Sequence, residues 1–211
     1  MRPLACLAAA FALAAVPAMA QQQLAGRPTT PFKATMDPMA APAGVYGLTG
    51  YHVSVIVKVL HAGFSYSAFR MNTVAGSLTW DPARLETSKV TATIAANSLS
   101  TNVPNFAETL TGPVWLDAAR FPTIAFTSTS IRRTGPTTGL ITGDLTLHGV
   151  TKPVTLDAAL TGAGQGPNGP TVGFTATAVV RRSDFGAGPV IDVVGDEMKV
   201  EIDLEFIKRP T

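Results

Sequence analysis

The chain has 211 residues, 46% hydrophobic, 14% charged and 7% aromatic, with a formal net charge of +2. That length permits one domain or two small ones, and this hydrophobicity excludes a chain disordered throughout; with 19 glycines and 16 prolines, a coiled coil is excluded too. The basic residues cluster no more tightly than the pairs Arg132-Arg133, Arg181-Arg182 and Lys208-Arg209, so the sequence lacks the concentrated footprint of a nucleic-acid binder.

The first segment, residues 1–20, has one positive residue, Arg2, before an apolar run from Leu4 to Val16. Ala18-Met19-Ala20 follows, with small residues where a signal peptidase reads. This is the pattern of a secretory signal peptide, cleaved near Ala20, and a periplasmic or secreted protein is expected. No later stretch approaches the ~18 apolar residues of a membrane helix, so no integral membrane segment is expected in the mature chain. Cys6 is the only cysteine and lies inside the segment to be removed. The mature chain then has no disulfide and no thiolate metal site. Residues 21–43 carry four prolines and no apolar period, which predicts a flexible tether. The folded domain is expected over 44–211.

From there the dominant pattern is alternation. Tyr51, Val53, Val55, Val57, Val59 and His61 share one parity, and His52, Ser54 and Lys58 the other. Phe64–Trp80 predicts a second strand, and Val90, Ala92 and Ile94 mark a third. Pro104–Ala119 breaks the alternation and holds Phe106, Leu110 and Trp115, which predicts short helical turns between strands three and four. Ile124 and Phe126 lead the fourth strand, and Ile141, Leu145 and Leu147 mark the fifth. The sixth, seventh and eighth are centred on Val154–Leu160, Val172–Val180 and Met198–Phe206. Short turns between them predict antiparallel neighbours. Eight strands, each with one apolar face and no long helix to cover it, must form a sandwich or a closed barrel. Closure also removes exposed edges, which favours an all-β, eight-stranded antiparallel barrel.

Chemistry-bearing residues are few. His52 and His61 fall on opposite faces of one strand and cannot share a metal, and His148 lies at a turn; no metal site is expected. No nucleophile elbow, phosphate loop or dinucleotide fingerprint is present. No catalytic residue is therefore assigned and no cofactor is expected. His61 continues the parity of the valine face and should project inward at a strand end. Arg182 shares parity with Phe174, Ala178 and Val180. A guanidinium in an apolar interior needs partners. Either it is buried against Asp184 or Asp196, or it belongs to a rim that grips a polar head group. In the second reading His61, Arg182, His52 and Asp184 hold the head group. An apolar tail would then lie among Val55, Val57, Val59, Phe64, Phe69, Trp80, Trp115, Phe126, Phe174 and Phe185.

Several segments, in order, resemble one family. They include His61-Ala62-Gly63-Phe64-Ser65, Gly76-Ser77-Leu78-Thr79-Trp80-Asp81-Pro82, Leu116-Asp117-Ala118-Ala119-Arg120-Phe121-Pro122 and Arg182-Ser183-Asp184-Phe185-Gly186. The most specific block is Leu145-Thr146-Leu147-His148-Gly149-Val150-Thr151-Lys152-Pro153-Val154. Together they resemble the YceI-like family over roughly Gly44–Ile207. Two positions depart from its pattern: Thr49 stands where an Asp is common, and Ala68 where a Gly is. The resemblance implies a lipocalin-like barrel, periplasmic or secreted, often a homodimer, with a long isoprenoid or other amphiphilic lipid in its lumen. Two other readings remain: a ligand-free structural or stress-response module with a filled core, and an enzyme using His61 as general base.

Overall fold

The computed structural model describes residues 32–189 and 192–210. The expected signal peptide and the first part of the expected tether lie outside them. The described residues are almost entirely β: β1 (Lys33–Thr35), β2 (Gly44–His61), β3 (Ser65–Met71), β4 (Val74–Trp80), β5 (Lys89–Ala95), β6 (Leu99–Ser100), β7 (Thr123–Arg133), β8 (Thr138–Leu147), β9 (Val150–Gly166), β10 (Gly169–Arg181) and β11 (Val194–Lys208). One short helix, α1 (Phe106–Thr111), lies between β6 and β7.

Eight of these strands close an antiparallel barrel in the order β2, β4, β5, β7, β8, β9, β10, β11, and β11 pairs back onto β2. The lipocalin-like barrel expected from the sequence is thus the fold, with the helical break between the predicted third and fourth strands. Closure leaves no free edge along this path. The predicted strand Phe64–Trp80 is divided at Asn72-Thr73. Its first half, β3, pairs with the end of β2, and its second half, β4, pairs with the start of β2.

The wall has two distinct ends. At one, the β2–β3 hairpin turns through Ala62 and Gly63, both with positive φ. We call it the hairpin end. At the other, β1 pairs with β9 beyond the point where β8 stops. The chain then runs through a short turn, Pro38–Ala40, to the start of β2. This strap is held from inside. Trp80 Nε1 donates to the Ala41 carbonyl at 3.1 Å, and the Tyr46 hydroxyl donates to the Pro42 carbonyl. Ala41, Tyr46 and Val172 are fully buried there, packed with Leu78, Trp80, Leu160, Ala163 and Phe206. Residues 33–43 are therefore part of the domain, not of a tether. Backbone pairing and the burial of Ala41 outweigh the two prolines in this stretch.

Candidate functional site

The barrel encloses a cavity of about 450 Å3. Its wall is the apolar face that alternation marked out. Val57, Phe69, Phe126, Leu145, Phe174 and Val200 line it, yet each is only half-buried. Inward side chains of a filled core would be fully buried. These are exposed to a hollow. Gly143 shapes part of it, since a Cβ there would collide with the Phe126 ring and come within 2.5 Å of the Thr127 carbonyl. Its absence lets Phe126 lie across β8.

Of the expected residues, Val55, Val57, Val59, Phe69, Trp80, Trp115, Phe126 and Phe174 line the cavity, as do His61 and Arg182. Four do not. Phe64 is 90% exposed because it lies in the β2–β3 turn, after the strand has ended. Phe185 is buried and packs against Leu147, Ala178 and Val180 without reaching the cavity itself. His52 is exposed on a bulge: Leu48 pairs with Phe206 and Val53 with Leu204, so three extra residues are accommodated on β2. That odd number reverses the parity, with Tyr46 and Leu48 inward before it and Val55, Val57 and Val59 after. It also turns Tyr51, expected on the buried face, out to 94% exposure. Asp184 is exposed and belongs to a separate shallow cleft beside Lys152 and Glu197.

Arg182 has neither aspartate as a direct partner. Its Nε donates to the Gly195 carbonyl at 3.0 Å, and Nη1 to the carbonyls of Ala187 and Gly188 at 3.2 and 2.8 Å. Nη2 donates to the Val194 carbonyl. The Trp115 ring lies 5.6 Å from the guanidinium carbon, and the side chain is 3% exposed. Burial pulls the guanidinium below its ordinary pKa, opposed by the Asp196 charge. Asp196 itself accepts from the Ser183 hydroxyl at 2.7 Å and from the Ser183 N–H at 2.9 Å. The hydroxyl bond leads the causes that hold Asp196 below the usual carboxylate range, and Arg182 and Arg181 contribute. Arg182 is thus first a clasp that ties Ala187-Gly188 to Val194-Gly195, with its charge at the lumen wall.

Some lining residues were not assigned from the sequence. Phe106 and Leu110 of α1, with Leu116, cover the hairpin end above Trp115. Their i,i+4 spacing signalled an apolar helix face, but not what it packs on. Ser67 shares parity with Phe69 and lines the cavity beside His61. At the strap end Pro38, Arg133, Pro136 and Thr137 reach the lumen. Arg133 was obscured because a bulge at Thr129 resets the parity of β7. Among the described residues no cluster of three metal-ligating side chains forms, and no helix is long and apolar enough to cross a membrane.

The YceI-like domain model matches residues 46–206, the span of the barrel. The chain belongs to the YceI-like family. A UPF0312 protein of Pseudomonas putida strain W619 is 36% identical over 162 residues, which cover 76% of this chain and 83% of the relative. A Campylobacter jejuni YceI protein of known crystal structure superposes with a TM-score of 0.66 at 25% identity, covering 70% of this chain and 88% of that one. A polyisoprenoid binding domain from Saccharophagus degradans, implicated in plant cell wall breakdown, superposes with a TM-score of 0.58 at 13% identity. The match covers 79% of this chain and 99% of that domain, and at this identity it shows a shared YceI-like fold.

Proposed function

We propose that this YceI-like protein is a binding or carrier protein that holds an isoprenoid or similar amphiphilic lipid in its barrel. The single observation behind this is the hollow of about 450 Å3, lined almost wholly by apolar side chains. An empty apolar space forfeits contacts that a hydrocarbon restores, and each buried methylene gains about 0.8 kcal/mol. The polyisoprenoid binding domain of the same fold supports the choice of ligand. His61 and Ser67 would meet a polar head group at the hairpin end, with the Arg182 charge nearby. The reading is of a binder, which the YceI-like domain and the polyisoprenoid binding domain of the same fold support. The hollow also favours a carrier over a structural module with a filled core. The signal-peptide pattern supports export to the periplasm or beyond, with cleavage near Ala20, and the family resemblance supports a homodimer.

The test is mass spectrometry of organic extracts from natively purified protein, with the mature N-terminus read from the same sample. A prenyl or acyl lipid in wild type, lost in Ala92→Phe, is expected. Ala92 lines the cavity, and a phenyl ring there takes up lumen space. Equal traces of lipid in both proteins would overturn the reading.

A further inference from the structure

Among the described residues, the ionisable side chains that line the cavity are Arg133, Arg182 and His61, and no carboxylate lines it. The carboxylates of the strap end lie elsewhere. Asp157, Asp203 and Glu205 alternate along their strands with Leu156, Ala158, Ile202, Leu204 and Phe206, which line the cavity, so they face outward. Asp37 and Glu86 are exposed and do not reach the lumen. Asp81 does not reach it either, and accepts from the N–H groups of Ala83 and Arg84 and from Arg84 Nε.

The two guanidinium groups differ in what they have left to donate. Arg182 is 3% exposed, and each of its nitrogens donates to a carbonyl. Arg133 is exposed at the strap end of the lumen. Its Nη1 donates to the Pro136 carbonyl at 3.0 Å and its Nη2 to the Pro82 carbonyl at 3.3 Å. The Nε–H and a second hydrogen on each Nη have no partner among the described residues. The neighbouring strands leave room beside them. Arg133 pairs with Gly139, Gly139 with Ala158 and Ala158 with Ala176, so nothing larger than a methyl group faces the lumen at this level of β8, β9 and β10. Ser88 converges on the same corner. It is 4% exposed, lines the cavity, and accepts the Asp81 N–H at 2.9 Å, next to the Pro82 carbonyl that Arg133 holds. Its hydroxyl proton has no acceptor among the described residues.

We propose that this corner is a second polar station of the lumen, which takes an anionic oxygen head group, a carboxylate or a phosphate, and gives the protein a preference for anionic over neutral amphiphiles. It rests on the lipid-carrier reading and adds to it the charge of the ligand and the end at which that charge is held. A guanidinium fork matches the oxygens of either anion. Ser88 donates to the same group, and the tail runs from there toward Phe126 and Phe69. No carboxylate on the lining repels the anion, whereas an ammonium head group meets like charge at both ends, from Arg133 and from Arg182.

The test is a set of titrations in which one farnesyl tail carries a hydroxyl, a carboxylate, a monophosphate or an ammonium group. The chain has two tryptophans, Trp80 and Trp115, and both line the cavity, so their fluorescence reports occupancy. An anionic form is expected to bind about tenfold more tightly than farnesol, and the ammonium form more weakly than farnesol. Arg133→Gln should bring the anions to the farnesol level and leave farnesol itself unchanged, which also shows that the variant is folded. Arg133→Lys should keep part of the preference. Arg132→Gln removes the same charge one residue away, on the outward face, and should bind all four as wild type does. A preference confined to one of the two anions supports the proposal and identifies the head group. Equal binding of anions and farnesol, an undiminished preference in Arg133→Gln, or the same loss in Arg132→Gln would each overturn it while leaving the carrier reading in place. Binding of none of the four overturns the carrier reading and this proposal with it.

Discussion

Arg182 places a positive charge in an apolar wall, and its surroundings explain how. Four hydrogen bonds run to backbone carbonyls, and an indole covers one face of the guanidinium. Only a planar group with several fixed N–H donors can span these acceptors. Arg182→Met leaves the carbonyls without donors and should cost about 3 kcal/mol in urea denaturation, with the amides of Ala187, Gly188, Val194 and Gly195 the first to lose protection. Asp196 supports the same clasp through Ser183. Its folded pKa lies below the unfolded value, so its contribution is present above about pH 4 and is lost as pH falls through the folded value. Asp196→Asn should therefore be less stable than wild type at pH 7. The gap should close as pH drops below about 4. A constant gap down to pH 2 would show that the carboxylate charge is irrelevant.

At the scale of elements, the helix and the strap treat the two ends of the barrel differently. The strap buries Ala41 against Leu78, Trp80, Leu160 and Phe206 and is pinned by Trp80 and Tyr46. Helix α1 is six residues long and too short to be stable on its own. It is held by Phe106 and Leu110, with the Phe106 and Phe69 rings 6.4 Å apart. Part of what holds α1 is thus what lines the cavity. Phe106→Ala should loosen this cover and raise the release rate of a bound fluorescent prenol several-fold, read by stopped-flow transfer to an acceptor. The barrel's thermal stability should change little, because no wall strand contains residue 106. An unchanged release rate would mean that the ligand leaves by another route.

At the scale of the whole molecule, closure decides what the strands can do. A sandwich of the same strands would press two apolar faces together and fill the space between them. Eight strands closed on themselves enclose an interior that side chains can just fill or that can hold one small ligand. Ala92, Ala158, Ala176 and Ala178 on the lining keep it open. This is why a larger residue at Ala92 is expected to remove the lipid without dismantling the wall. Closure also sorts the surface. Arg132-Arg133 and Lys208-Arg209 are 75 residues apart in sequence and mark one end of the barrel because antiparallel strands start and finish at common levels.

Strand number, turn positions and most lumen residues were legible in the sequence. They rest on a two-residue period and on Gly and Pro placement, which are local properties of the chain. Val55 to Val59, Phe69, Phe126 and Phe174 were readable for that reason. The errors have one kind of cause. His52 and Tyr51 were displaced by a bulge whose size depends on the register between β2 and β11. Phe64 was assigned to a strand that begins one residue later. One of the two readings of Arg182 paired it with a carboxylate; instead it bonds the carbonyls of Ala187, Gly188, Val194 and Gly195. Residues 33–43 looked like a tether because their partner strand, β9, lies over a hundred residues away. Alternation told which side chains face inward; how far apart the walls stand, what covers each end and which charges meet there depend on pairings between distant strands, and those exist only once the barrel has closed.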